Sequence, residues 1–198
     1  MTKPTLHASE APRWTACPGS VRECAGLPNI GSEWSRRGQL THALYNPETQ
    51  ALDDGLLAAR YGVSLATVAE CREFVEALDE PLPGTRFEVA LEHEFRRFIL
   101  SGHEDALLIF TEDDGDHALV DDLKTGRKEV PSPSANAQAL CYVALTFSNF
   151  ERVQTVRFRF LQPLGVGERY PEFTFHRSAH FDQIMRHIEE AGNEALGD

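Results

Sequence analysis

No apolar run in this sequence is long enough to cross a bilayer. Ala106-Leu107-Leu108-Ile109-Phe110 is among the longest, against the roughly 20 residues a spanning helix needs. No membrane partner is therefore expected. No apolar stretch follows Met1-Thr2-Lys3-Pro4 either, so a secretory signal is not expected and the cytoplasm is the expected location. Cysteine is scarce. Cys17, Cys24, Cys71 and Cys141 form no CxxC pair, and they read as reduced thiols, not as a disulfide frame. Basic charge is short as well: 19 Lys and Arg face 31 Asp and Glu, for a formal net charge of −12. A protein that coats nucleic acid nonspecifically carries the opposite sign. Internal repeats and low-complexity tracts are missing.

What remains is ordinary globular composition, 198 residues with 41% apolar and 25% charged. That suits a single domain over 1–198. The charge is uneven. Residues 88–129 hold five bases and twelve acids (net −7), residues 1–50 are net +1, and residues 151–186 are net +2. An acidic centre between more basic flanks suits a metal site between phosphate-holding surfaces. A solvated acidic surface is the plain alternative.

The first 35 residues are rich in Pro, Gly and Ser and hold Trp14 and Trp34, which points to an irregular but packed segment. The spacing predicts helices over 36–60 and 64–80, the second with Ser64 as N-cap and Pro81 as its stop. The N-terminal part, 1–80, is thus irregular and helical. In 85–162 the period changes. Phe87, Val89 and Leu91 alternate with Glu88, Ala90 and Glu92, as in a strand. Further strands are expected at Phe95–Leu100, Ala106–Phe110 and His117–Leu123. The last two are joined by a turn at Glu112-Asp113-Asp114-Gly115-Asp116. A loop at Pro131-Ser132-Pro133-Ser134 leads into a helix over 135–148. A strand follows from Arg152 to Gln162, then a helix from about Ser178. The expected class is α/β (α+β), a mixed central sheet flanked by helices.

The chemistry sits on the central strands. Period-2 geometry puts Asp122 and Lys124 on one face and turns Leu123 into the core. A hairpin can bring Asp105 beside Asp122. Two adjacent carboxylates repel unless a cation lies between them, and a hard divalent ion with oxygen ligands meets that need. An ammonium alongside can orient water and stabilise developing phosphate charge. The plain alternative is a surface hairpin with an Asp–Lys ion pair.

Gly102-His103-Glu104-Asp105 followed by Val120-Asp121-Asp122-Leu123-Lys124-Thr125-Gly126 resembles the core of the PD-(D/E)XK nucleases, and more closely their RecB-like branch of phage and prophage type. An upstream helical His, here His42 in Arg37-Gly38-Gln39-Leu40-Thr41-His42, and a Q-x-x-x-Y helix, here Gln138-Ala139-Leu140-Cys141-Tyr142, complete the pattern. Ser9…Arg13-Trp14-Thr15-Ala16-Cys17-Pro18-Gly19-Ser20 is similar to the start of phage members. The resemblance covers about residues 8–162 and implies a restriction-endonuclease-like fold with a catalytic core over 85–162.

It also implies roles. His42, Asp105 and Asp122 are expected as ligands of Mg²⁺ or Mn²⁺, with the Leu123 carbonyl as a further candidate. Asp105, Asp122 and Lys124 form the expected catalytic set. Gln138 and Tyr142, on one helix face, are expected to contact the DNA strand, with Arg127 and Lys128 as phosphate contacts and Glu88 as a contact to the metal or to one of its ligands. Plain readings stay open: a core or surface histidine, a core Tyr142, a solvent-facing Gln138, a solvated turn at Arg127-Lys128. Some relatives hold an iron–sulfur cluster with one early cysteine and three late ones. No cysteine follows Cys141 here, so no such cluster is expected, and Cys17 reads as a small buried residue. No Walker A loop is present, so a partner would do any unwinding. The implied function is a metal-dependent deoxyribonuclease, an exonuclease acting in phage DNA recombination, repair or replication in the cytoplasm of a bacterial host. The alternative is a non-catalytic DNA-binding subunit of a phage assembly, partnered by a recombination or single-strand-binding protein.

Overall fold

Alternating apolar residues build six strands that pair into one sheet. In the computed structural model, which describes residues 3–27, 31–164 and 168–197, these are β1 Thr5–His7, β2 Arg86–Glu94, β3 Ile99–Glu112, β4 Gly115–Leu123, β5 Val153–Leu161 and β6 Glu172–His176. The long β3 pairs antiparallel with β2 and β4 and parallel with β1. β4 runs parallel to β5, and β6 closes the far edge antiparallel to β5. The helices are α1 Ala11–Ala16, α2 Ser20–Glu23, α3 Glu33–Tyr45, α4 Pro47–Gln50, α5 Asp54–Tyr61, α6 Leu65–Glu76, α7 Ala137–Asn149 and α8 Arg177–Leu196. The class is mixed α+β, one mixed sheet flanked by helices. None of the described helices is long and apolar enough to cross a membrane.

Each face of the sheet buries its own core. On one side Leu100, Leu107, Val120, Val156, Phe158 and Phe160 pack against α7, α1 and α8. On the other, Ala106, Leu123 and Leu161 meet Leu40 and Leu44 of α3, Leu57 of α5, and Val68 and Phe74 of α6.

Several elements differ from expectation. The helix expected over 36–60 is three helices, because Pro47 cannot continue α3 and two side chains offer new starts. Asn46 caps α4 through the Glu48 N–H, and Asp53 caps α5 through the Gly55 and Leu56 N–H groups. α6 starts where expected, with Ser64 accepting the Thr67 N–H. The expected strand Phe95–Leu100 begins only at Ile99. Phe95 to Phe98 form a tight turn, closed by the Phe95 N–H on the Phe98 carbonyl at 2.9 Å. The two rings stack at 4.7 Å and are buried, so apolar residues there serve a turn. In the N-terminal segment Trp14 is fully buried and donates to the His7 carbonyl, whereas Trp34 is 78% exposed. Residues 28–30 of that segment lie outside the described residues. Cys17, expected buried, is exposed. It sits at the C-terminal cap of α1, whose buried positions are Ala11 and Trp14.

Two irregularities create the site. The first is a break in alternation. Val89, Leu91 and Leu100 pack on the α7 side, where Gly102 faces Tyr142 and Glu104 bonds Thr146. Phe87 and its cross-strand partner Ala106 pack on the other side. Two steps along a strand should keep the face, so the switch falls on Glu88 and Asp105, which stand opposite each other between the pairs Phe87–Ala106 and Val89–Glu104. Glu88 carries its backbone signature, a left-handed φ of 51°. The second irregularity is a fork. β3 pairs with β1 through Ile99–Ser101 and with β4 only from Ala106 onward. At the fork β4 ends, and the Leu123 N–H goes to the Asp105 carboxylate at 2.7 Å.

Candidate metal centre

The fork gathers side chains from distant parts of the chain. Asp105 is 9% exposed and divides its two oxygens. Oδ2 accepts the Leu123 N–H, and Oδ1 lies 2.8 Å from His42 Nδ1 on α3. Glu88 enters from β2. One donor atom each of His42, Glu88 and Asp105 lies within 4.8 Å of the other two. An imidazole and two carboxylates at that spacing are a donor set for a divalent ion such as Mn²⁺ or Mg²⁺.

Asp122 is 3% exposed and stands on the α7 side. Its Oδ1 accepts from Gln138 Nε2 at 3.0 Å, and Lys124 Nζ lies 2.6 Å from its Oδ2. That oxygen has no properly angled hydrogen bond among the described residues. The ammonium is aimed instead at Gln138 Oε1, 2.8 Å away. Gln138 therefore bridges the aspartate and the lysine with the two ends of one amide. The predicted shared face of Asp122 and Lys124 is seen directly, and Leu123 is buried in the opposite core.

Proton affinities follow this crowding. Burial opposes charge on His42, but the hydrogen-bonded Asp105 carboxylate, helped by Asp122, outweighs it and raises its pKa. Burial raises Glu88, and the charge of Asp105 raises it further. Burial also raises Asp122; Lys124 pulls it back, and Asp105 pushes it up again. Glu88 and Asp122 hold protons mainly because burial penalises their charge, and His42 because carboxylates face it, so a divalent cation bound here would displace protons.

The remaining expected residues fall in two groups. Tyr142 is 4% exposed, so it stands in the core and not on a surface a strand can reach. Its ring lies parallel to Phe158. A Cβ on Gly102 would come within 2.7 Å of Tyr142 Cε1 and 3.0 Å of Ala8 Cβ, which gives the glycine before Asp105 a packing reason. Arg127 and Lys128 are exposed in the loop after Lys124. That loop is held by Gln162, a 2%-exposed residue the sequence reading passed over, whose amide donates to the Gly126 and Lys128 carbonyls. Glu88 was expected only as a weak contact, and the structure puts it in the metal-competent group. A cavity of about 590 Å³ opens beside it, lined also by Gln39, His42, Asn46, Arg60 and Tyr61. Neither Arg60 nor Tyr61 was singled out, since nothing in local spacing brings α5 to α3.

A second set of like composition lies at the tip of the β3–β4 hairpin, where Glu112, Asp114 and His117 bring donor atoms within 4.8 Å. There His117 is already satisfied at both ring nitrogens, by Thr155 Oγ1 at 2.6 Å and Asp114 Oδ1 at 2.8 Å. Both acids are exposed.

Comparison with known proteins adds little to this geometry. Residues 4–81 match a family model described as "Protein of unknown function (DUF2800)". That stretch contains His42, Arg60 and Tyr61 and stops before Glu88. No curated protein matches the chain. Among solved structures, the crystal structure of SSO0001 aligns at 13% identity over 96% of this chain and 76% of the other. Its TM-score is 0.43, and nothing about this chain follows from a likeness at that level.

Proposed function

We propose that this chain is a metal-dependent deoxyribonuclease of the RecB-like PD-(D/E)XK kind, an exonuclease using Mg²⁺ or Mn²⁺ in phage DNA recombination, repair or replication. One observation carries the reading: His42, Glu88 and Asp105, from three separate elements, bring donor atoms within 4.8 Å of one another, and Asp122 pairs with Lys124 at 2.6 Å where β4 ends, outside that donor group but close enough for both charges to act on His42. The antiparallel β2, β3 and β4, followed by α7 and a β5 parallel to β4, support a restriction-endonuclease-like fold.

The donor set fits a hard divalent ion. His42, Glu88 and Asp105 would hold it, with Asp122 and the Leu123 carbonyl as further donors. When bound, such an ion supplies Lewis acidity toward a phosphate oxygen and toward water. The protein's own groups do the rest. Lys124 presents an ammonium to charge that grows as the phosphodiester is attacked, so it favours the transition state over the bound substrate. Gln138 fixes the direction of that ammonium and the rotamer of Asp122 together. Tyr142, one turn along α7 from Gln138, packs into the core and anchors the face of the helix that carries Gln138.

A non-catalytic DNA-binding subunit, partnered by a phage recombination or single-strand-binding protein, is the second reading. The observation in its favour is that Asp122 is already tied to Lys124 and Gln138. End-labelled DNA incubated with the protein in Mg²⁺, Mn²⁺ or EDTA separates the two. The nuclease reading expects shortening that EDTA stops. It also expects Lys124→Ala to slow cleavage by orders of magnitude at nearly unchanged DNA affinity in Ca²⁺. Degradation that persists in EDTA, or an affinity that falls with the rate in Lys124→Ala, overturns it.

A further inference from the structure

The cavity beside the metal group is unlike the rest of this acidic molecule. The net charge is −12, yet among the described residues Glu88 is the cavity's only acidic lining residue, at the metal end, and Arg60 its one guanidinium. Between them α3 contributes neutral hydrogen-bonding side chains, Gln39 among them, and Asn46 follows at its C-terminal cap. Three arginines near the site are neutralised, Arg37 by Glu70, Arg72 by Asp54 and Arg159 by Asp121, while Arg36 on α3 donates to the Gly31 carbonyl. Arg60 has no carboxylate within ion-pair distance among the described residues. Its guanidinium lies instead over the Tyr61 ring, 5.6 Å from the centroid. Arg60 is exposed, and a guanidinium beside a ring keeps its N–H edge open to an anion. α5 ends at Gly62 with a left-handed φ of 63°, and a Cβ there would meet Arg36 of α3 at 3.7 Å.

We infer that this cavity is a nucleotide subsite in which Arg60, braced by Tyr61, holds a backbone phosphate of an unpaired strand while Gln39 and Asn46 meet the attached nucleotide. The chemistry of the lining names the ligand class: one fixed cation for a phosphate, amides for base or sugar edges, and a metal-competent group at the far end for the next phosphate along. The volume of about 590 Å³ falls in the range that takes a small ligand. It suits a nucleotide drawn out of a duplex and not the duplex itself. The subsite rests on the nuclease reading only for which phosphate is cut; its affinity for a strand does not need cleavage.

The test measures binding and cutting separately. Full-length wild type, Arg60→Ala and Arg60→Lys are titrated in Ca²⁺ against a fluorescent thymidine oligonucleotide and a blunt duplex of equal length, at several salt concentrations. Melting curves show that each variant folds. The subsite predicts that Arg60→Ala weakens single-strand binding by about tenfold, as for one charge-assisted contact. It predicts a salt slope lowered by about 0.7, the value for one phosphate on a single strand. Arg60→Lys should recover the slope but only part of the affinity, and duplex binding should change little. Unchanged affinity and slope in Arg60→Ala, an equal loss on the duplex, or no oligonucleotide binding by wild type would each overturn it. Cleavage in Mn²⁺ is scored on the same proteins. Arg60-dependent binding without cleavage leaves the subsite standing while the nuclease reading falls. Cleavage with a KM indifferent to Arg60 does the reverse.

Discussion

Among the described residues, two places bring a histidine and two carboxylates within 4.8 Å, the fork at His42, Glu88 and Asp105 and the hairpin tip at Glu112, Asp114 and His117. Their compositions are nearly the same; their surroundings are not. At the tip the acids are exposed, and the histidine spends both ring nitrogens on Thr155 and Asp114. Its charges are screened and nothing there is left wanting. At the fork Glu88 is exposed too, but Asp105 and its neighbour Asp122 are buried carboxylates, the proton affinities of His42 and Glu88 are raised, and Glu88 sits in a left-handed conformation. Strain and unpaired polar groups survive only where the surrounding fold enforces them. The difference teaches that residue types gathered at metal-ligand distances do not define a centre. Buried carboxylates, crowded charge and backbone strain set the fork apart as the candidate.

The largest effect that could break this comparison is on activity. Asp105→Ala and Asp122→Ala should each abolish metal-dependent shortening of end-labelled DNA, while Asp114→Ala leaves the rate unchanged. Equal losses from the fork and the tip would erase the distinction. Next comes metal affinity. Isothermal titration with Mn²⁺ should show His42→Ala weaker than wild type by at least about tenfold, the loss of one imidazole donor. His117→Ala should keep wild-type Mn²⁺ affinity and instead lower the melting temperature, since it strands the Thr155 hydroxyl.

Backbone strain gives a smaller and opposite signature. Glu88→Gly places the one residue that accepts a φ of 51° at no steric cost where a glutamate now stands. Relief of about 1 kcal/mol should raise the melting temperature by about 2–4 °C for a chain of this size. The same change removes a donor, so Mn²⁺ affinity should fall. A variant that melts earlier and binds metal as before would mean that the strain serves packing, not the site.

Much of the fork could be read from the sequence, because it rests on short-range rules. Asp122 and Lys124 share a face by strand periodicity, and the Glu112–Asp116 turn makes β3 and β4 neighbours. Gly102 was visible as part of a motif, though its reason, the Tyr142 ring, was not. What escaped depends on tertiary geometry. Glu88 joins the group through a single reversed φ, which no pattern of apolar residues encodes. β1 and β6 are three and five residues long, too short for periodicity to register. Residues 36–60 were misread as one helix because Pro47 and Asp53, the residues at which α4 and α5 restart, were not read as breaks. Arg60 and Tyr61 reach the cavity only because of those breaks.

Glu104 sharpens the comparison from a third direction, since it separates the effect of burial from that of the metal group. It is the neighbour of Asp105 but faces α7, 1% exposed, with Oε1 bonded to the Thr146 hydroxyl and Oε2 unpartnered among the described residues. Burial pushes its pKa up to about 8, against a weaker pull from Thr146 and Arg86 and with a small push from Asp105 and Asp122. The folded chain then holds a proton that the unfolded chain has lost above its ordinary value of 4.5. The stabilisation is therefore complete below about pH 4.5 and is lost as the pH rises toward about 8. Glu104→Gln keeps the shape without the titration. The difference in melting temperature between this variant and wild type should grow by a few degrees in the variant's favour between pH 5 and pH 8, roughly what one buried ionisation costs. Mn²⁺ affinity of the variant should stay near wild type, since the side chain points away from His42 and Glu88. A flat difference across that range would place Glu104 beside water. A large loss of Mn²⁺ binding would enlarge the metal group beyond the fork and dissolve the distinction between a buried acid and a ligand.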